Sequence, residues 1–262
     1  MEPFKFDYND QGTRGNILNS SLHIDCDVVA VGAHPDDVEI GCGGTIAKMV
    51  RDGYRVAIID ITDGEPTPNS PSPDVRLDEA QQAARILGVQ VRETLDLPNR
   101  LLFDSIEARI KLATCFRRLR PQLVISLEHR TPLASPDHIQ AMQLTEAAVF
   151  YSRLTKWDDR FEGTSPHTIP SIASYCLDMG NLTRPAEPGI FISDISETYD
   201  KKVEAVRAYQ TQFPPAKESF FTRLRSANSF WGEISGFRFG ELIRSYRPIG
   251  TNRPFDLLCS HS

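Results

Sequence analysis

The sequence predicts an α/β fold, a doubly wound and mostly parallel sheet with helices on both faces. Three observations predict it. Residues 28–33 (VVAVGA) are a short, continuous apolar run, the pattern of a strand covered on both faces, and 123–127 (LVISL) reads as a further strand. Such runs alternate with stretches of helical period, which implies parallel strands joined by crossover helices. With 262 residues, 40 % hydrophobic and 24 % charged, the chain has the size and composition of one globular domain.

The elements follow in order. Val28–Ala33 reads as the first strand and Gly44–Arg51 as a helix. Arg55–Thr62 (RVAIIDIT) is the second strand. Residues 66–75 (PTPNSPSPDV) hold four prolines and read as a loop. That loop leaves the carboxyl end of the second strand, where it either shapes entry to a site or merely connects. Arg76–Leu87 is helical, with Ala80, Ala83, Ala84 and Leu87 on one face. Gly88 closes it. Thr94–Leu97 is a third strand. Ser105–Leu119 is an amphipathic helix stopped by Pro121, Leu123–Leu127 a fourth strand and Asp137–Leu154 a further helix. Beyond residue 155 the pattern is less regular. Ile172–Leu177 and Ile190–Ile195 read as strands, Lys201–Phe213 and Ser219–Gly236 as helices, the latter carrying Trp231 on an aromatic face. We read a single domain over 1–262, with a metal-binding core at roughly 25–155 and residues 156–262 extending the same sheet.

Bulk properties exclude several function classes. The net charge of -6 lacks the basic surface that non-specific nucleic-acid binding needs. The start MEPFKFDYNDQG has no basic-then-apolar leader, and no run of 18 apolar residues predicts a membrane span. Five scattered cysteines with no CxxC pair suit reduced thiols and a cytoplasmic location.

The chemistry concentrates where a strand stops. His34-Pro35-Asp36-Asp37 follows the first strand directly, and a loop after the fourth leads to Asp137-His138. In a doubly wound sheet these two strands are neighbours, and their carboxyl ends form the ligand crevice. His34, Asp37 and His138 form a normal ligand set for a catalytic Zn²⁺, three protein ligands leaving a position for water. One carboxylate does not easily serve as both ligand and free base, so a pair divides the work: one binds, and its neighbour takes a proton. Other readings stand beside this one. An Asp pair after a strand also caps a helix. His138 equally suits a helix surface. Gly41, Gly43 and Gly44 lack the G-x-G-x-x-G spacing and read as allowing close strand–helix packing and close substrate approach.

The segment AHPDDVEIGCGGTIA resembles the signature of the LmbE-like, PIG-L-type zinc deacetylases, which include the glucosaminyl-malate deacetylases of bacillithiol synthesis. TDGEPT (62–67), VRLDEAQQAARILGV (75–89), LDLPN (95–99), SPDHIQAMQLTEAAVFYS (135–152), VEAVRAYQTQF (203–213) and SFWGEISGFRFGE (229–241) resemble further family segments, so the likeness covers roughly 25–250. It implies a Rossmann-like fold and hydrolysis of an N-acetyl group on an N-acetylglucosamine derivative, a small amino-sugar substrate. By position it implies His34, Asp37 and His138 as zinc ligands and Asp36 as general base. It makes Arg76 a candidate substrate contact, the alternative being a solvent-exposed helix residue. It also implies a homo-oligomer, a trimer or hexamer.

One position departs from the family. Its second motif reads HPDH, whose first histidine stabilises the oxyanion and protonates the leaving amine while the aspartate orients it. Here the motif is Ser135-Pro136-Asp137-His138. Ser135 before a proline fits a helix cap. Three outcomes follow for the missing acid. His129 replaces it from the same loop, with Asp137 as an auxiliary group; Asp36 shuttles the proton; or the chain is a weakly active or non-catalytic zinc- and carbohydrate-binding homologue. Relatives also often place a histidine within the segment read here as SYCLDMGNL (174–182), and the nearest in this half is His167.

Overall fold

A computed structural model describes residues 25–128, 131, 133–179, 189–250 and 252. His129 and Cys259 lie outside the described residues.

Among the described residues seven strands form one sheet: β1 (Val28–Gly32), β2 (Val56–Thr62), β3 (Val91–Leu97), β4 (Leu123–Leu127), β5 (Ser171–Tyr175), β6 (Ile190–Asp194) and β7 (Gly240–Ser245), in the order β3-β2-β1-β4-β5-β7-β6. β1 pairs parallel with both β2 and β4, so the chain does reverse direction after the third strand. β1 and β2 are buried at every position, β1 as its unbroken apolar run requires and β2 with Asp60 and Thr62 buried among apolar neighbours.

Among the described residues six α-helices connect these strands: α1 (Asp37–Arg51), α2 (Pro73–Leu87), α3 (Ile106–Leu119), α4 (Asp137–Tyr151), α5 (Tyr199–Arg207) and α6 (Glu218–Glu233). Right-handed crossovers place α1 and α2 on one face and, after the reversal, α3 and α4 on the other. Accordingly α1 packs on α2 and α5, whereas α3 packs on α4.

Several boundaries differ from expectation for physical reasons. α1 begins at Asp37, seven residues early, and carries a non-helical kink at Cys42. Its glycines permit close packing: a Cβ on Gly41 would fall 2.1 Å from the Tyr175 ring. α2 begins at Pro73, inside the expected loop, because proline suits the first helical turn. Gly88 adopts φ 81 and closes that helix as expected. Ser105 caps α3 by accepting the Ala108 N–H. β7 was not expected. It forms from GELIRS, runs antiparallel to β5 and β6, and ties the later strands into the sheet.

Candidate active site

β1 and β4 end side by side, and the two chemical corners of the sequence meet there. His34, Asp37 and His138 offer one ligand atom each, all within 4.8 Å of one another. Asp37 and His138 are buried and His34 is partly buried, and the His34 and His138 ring centres are 5.3 Å apart. His138 is therefore not a surface residue of α4.

The first corner is fixed mainly through its backbone. Asp37 Oδ2 accepts the Ala33 and His34 N–H groups, both at 2.9 Å. These bonds run back toward the strand rather than forward into α1. Asp36, at the cap position, makes no side-chain cap bond. The capping reading of the pair thus fails for both residues. Asp36 instead has φ 119, an unusual value for a side-chain-bearing residue. Such strain costs about 1–3 kcal/mol and persists only where neighbours over-determine it.

Arg76 supplies one such neighbour. It is 3 % exposed, not a surface helix residue. Its Nη2 donates to the Pro35 carbonyl and lies 3.2 Å from Asp36 Oδ2. Its Nε and Nη1 have no hydrogen-bond partner among the described residues. The guanidinium sits over the Tyr209 ring at 5.5 Å, and Tyr209 Oη donates to Glu39 at 2.9 Å. Glu39 and Asp60 both pair with Arg92, so a closed charge cluster lies behind the corner. Its members escaped the sequence reading. A signal existed: Asp60 and Arg92 interrupt buried strands, and charges inside a sheet core must pair.

The electrostatics separate the two aspartates. Burial raises the pKa of Asp36, Arg76 offsets part of that, and Asp37 adds to it, for a value of about 7. Burial acts on Asp37 in the same direction, but the His138 and His34 imidazoles outweigh it and hold Asp37 far below the usual carboxylate range. For His34, burial opposes protonation, yet the hydrogen bonds to Asp137 and Asp37 prevail and push it up to about 10. A site that attracts a proton this strongly equally suits a cation.

The second corner is arranged differently. Ser135 Oγ accepts the Asp137 N–H at 3.2 Å, so the hydroxyl serves the start of α4 as expected, but from one residue before the cap position, which Pro136 occupies. His138 Nδ1 lies 3.0 Å from Thr131 Oγ1 and its Nε2 3.4 Å from Asp37 Oδ1. Asp137 Oδ2 accepts the Arg100 N–H at 2.6 Å and lies 3.4 Å from His34 Nε2. Thr131 and Arg100 were not singled out in the sequence, because Arg100 acts through its backbone and Thr131 through a loop contact. His167 is elsewhere: its Nε2 lies 2.8 Å from the Pro121 carbonyl, at the opposite end of β4.

The proline loop is fastened beside the site. Thr67 donates to Glu65 through N and Oγ1, Asn99 Nδ2 donates to the Glu65 carbonyl, and Gln212 Nε2 donates to Thr67 Oγ1. These bonds join it to the turn after β3 and to the segment after α5.

Comparison with known proteins gives a consistent picture. Residues 29–149 match the family profile described as PIG-L: GlcNAc-PI de-N-acetylase. The chain is similar to a diacetylchitobiose deacetylase of Thermococcus kodakarensis, with 33 % identity across 83 % of this chain and 82 % of that protein. Among solved structures, it is similar to a conserved protein of Thermus thermophilus, with a TM-score of 0.75, 33 % identity, and coverage of 86 % of this chain and 97 % of the other. It is also similar to an N,N'-diacetylchitobiose deacetylase of Pyrococcus horikoshii, with a TM-score of 0.74, 30 % identity, and 84 % of each chain covered.

Proposed function

The chain belongs to the PIG-L family of de-N-acetylases, and from that premise we propose that it hydrolyses the acetamide of an N-acetylglucosamine-type amino sugar or conjugate. The observation that carries this reading is the buried His34–Asp37–His138 cluster with Asp36 beside it. Two imidazoles and one carboxylate suit zinc better than magnesium or calcium, which take oxygen ligands. A zinc ion bound there supplies a Lewis acid for the acetyl carbonyl and lowers the pKa of water to about 7.

The protein groups do the rest. Asp36, with a pKa of about 7, accepts a proton from the attacking water. The water oxygen bonds to the acetyl carbon, the C–N bond breaks, and the nitrogen leaves with a proton. Ser135 already serves the start of α4, so Asp36 returns the proton it took, and the products are acetate and a free amine. Arg76 holds Asp36 in place.

The intact base and cation cluster, together with relatives named as deacetylases, favour turnover over binding alone. The described cysteines form no disulfide, which supports a cytoplasmic setting, and no described helix is long and apolar enough to cross a membrane. Exposed Leu101, Phe103 and Leu133 support a homo-oligomer, for which the family resemblance implies a trimer or hexamer.

The test is acetate release by zinc-loaded protein from a panel of N-acetylated amino sugars, with Asp36→Ala as control. Release by the wild type but not the variant is expected. Zinc-loaded protein that releases acetate from none of them would overturn the reading.

A further inference from the structure

The two imidazoles at the site are turned in opposite senses. His138 directs Nε2 toward Asp37 and keeps Nδ1 on the Thr131 hydroxyl. His34 has Nδ1 3.5 Å from Asp37 Oδ2 and Nε2 3.4 Å from Asp137 Oδ2. A neutral imidazole that gives one nitrogen to a cation carries its proton on the other, so the partner of the far nitrogen selects both tautomer and ring orientation. For His34 that partner is a carboxylate. The two partners also differ in kind, since a carboxylate holds an N–H more strongly than a hydroxyl does.

We propose that Asp137, in a motif without the preceding histidine, is the positioning residue of His34: it holds the Nε2 proton and so presents Nδ1 as the ligand nitrogen. The inference rests on reading the cluster as a cation site. Asp137 suits this duty because it is itself immobilised. It is buried to 1 % exposure, and the Arg100 N–H fixes the same oxygen, Oδ2, that faces His34. Arg100 is in turn held at φ 66 in the turn after β3, where its Nη2 reaches the Pro66 carbonyl and neighbouring Asn99 reaches the Glu65 carbonyl. The proline loop, the turn after β3 and the ligand histidine therefore share one chain of hydrogen bonds through Asp137.

The experiment uses the full chain, zinc-loaded, as wild type, Asp137→Asn and Asp137→Ala. Zinc affinity is read by chelator competition and the His34 ring by nitrogen-15 NMR. The expected results are about 10–100-fold weaker zinc binding for Asp137→Ala and a smaller loss for Asp137→Asn. In the wild type, zinc should sit on His34 Nδ1 with a deshielded Nε2 proton, and that proton signal should move upfield in Asp137→Asn. A purely structural role would lower the melting temperature of the metal-free variants without moving that signal. Should Asp137→Ala not fold, Asp137→Asn carries both readouts. Unchanged affinity in the folded variants, or zinc on His34 Nε2, would overturn the proposal while leaving the cation site standing. A wild type that takes up no zinc would remove both.

Discussion

The corner at 34–37 and the corner at 135–138 face each other across one site but are built on different terms. The first is held mainly by backbone bonds and buried charge: two amides on Asp37 Oδ2, Arg76 on Pro35 and Asp36, and the Arg92–Glu39–Asp60 cluster behind. It tolerates a strained φ at Asp36 because so many partners fix it. The second corner is held by side chains and a neighbouring turn: Ser135 on the start of α4, Thr131 on His138, and Arg100 N–H on Asp137. The contrast teaches that the turn at 34–37, held by its own amides and buried charges, does not lean on the side chain at 135, while the ring of His34 meets the second corner only through Asp137. A serine at 135 and an undisturbed HPDD turn therefore coexist.

Breaking the first corner should have the largest effect. Asp37→Ala removes the proposed central ligand and leaves two imidazoles without their shared partner. Metal analysis should fall from about one zinc per chain to a small fraction, with acetate release falling to background. Unchanged metal content would undo the assignment.

Next comes the base. Asp36→Asn should keep the metal and lower kcat by about 10²–10⁴. In the wild type the base must be a carboxylate, and its pKa is raised to about 7. The deprotonated fraction therefore grows as pH rises through that value. The wild-type kcat/KM should fall about tenfold per pH unit on the acid side and level off above. A bound cation beside Asp36 favours the carboxylate and moves this limb downward. A pH-independent rate between 5 and 8 would count against Asp36 as base.

The second corner offers a gain rather than a loss. Ser135→His adds an acid beside the leaving nitrogen and should raise kcat about tenfold or more at neutral pH. If kcat stays flat, Asp36 already returns the proton without help. Smallest of all is Ser135→Ala. It removes the cap on the Asp137 N–H and should cost about 1 kcal/mol in a denaturant melt, with kcat essentially unchanged. A large loss of kcat there would give the hydroxyl a chemical duty and close the gap between the two corners.

Much of the molecule was legible in the order of residues. Largely apolar runs without polar alternation identified β1, β2 and β4, because a strand buried on both faces has no solvent-facing positions to fill. The reversal after β3 followed from the alternation of elements, and with it the meeting of His34, Asp37 and His138. The short antiparallel β7 was not legible, since GELIRS is half polar and draws its place from β5 and β6. The site's support was less legible still. Arg76 reads as a polar helix residue until the fold buries it against Asp36. Thr131 and the Arg100 backbone carry no motif at all.

By itself, then, the sequence determined the fold class, the two corners and the chemical types gathered there. Local pattern encodes burial and period, and ligand chemistry resides in side-chain identity. Tertiary structure alone decided which nitrogen of each histidine faces Asp37, which aspartate keeps its proton near neutrality, and what holds the strained turn. Those properties depend on distances and desolvation among groups as much as 170 residues apart, such as Tyr209 and Glu39, and neither quantity exists until the chain has closed on itself.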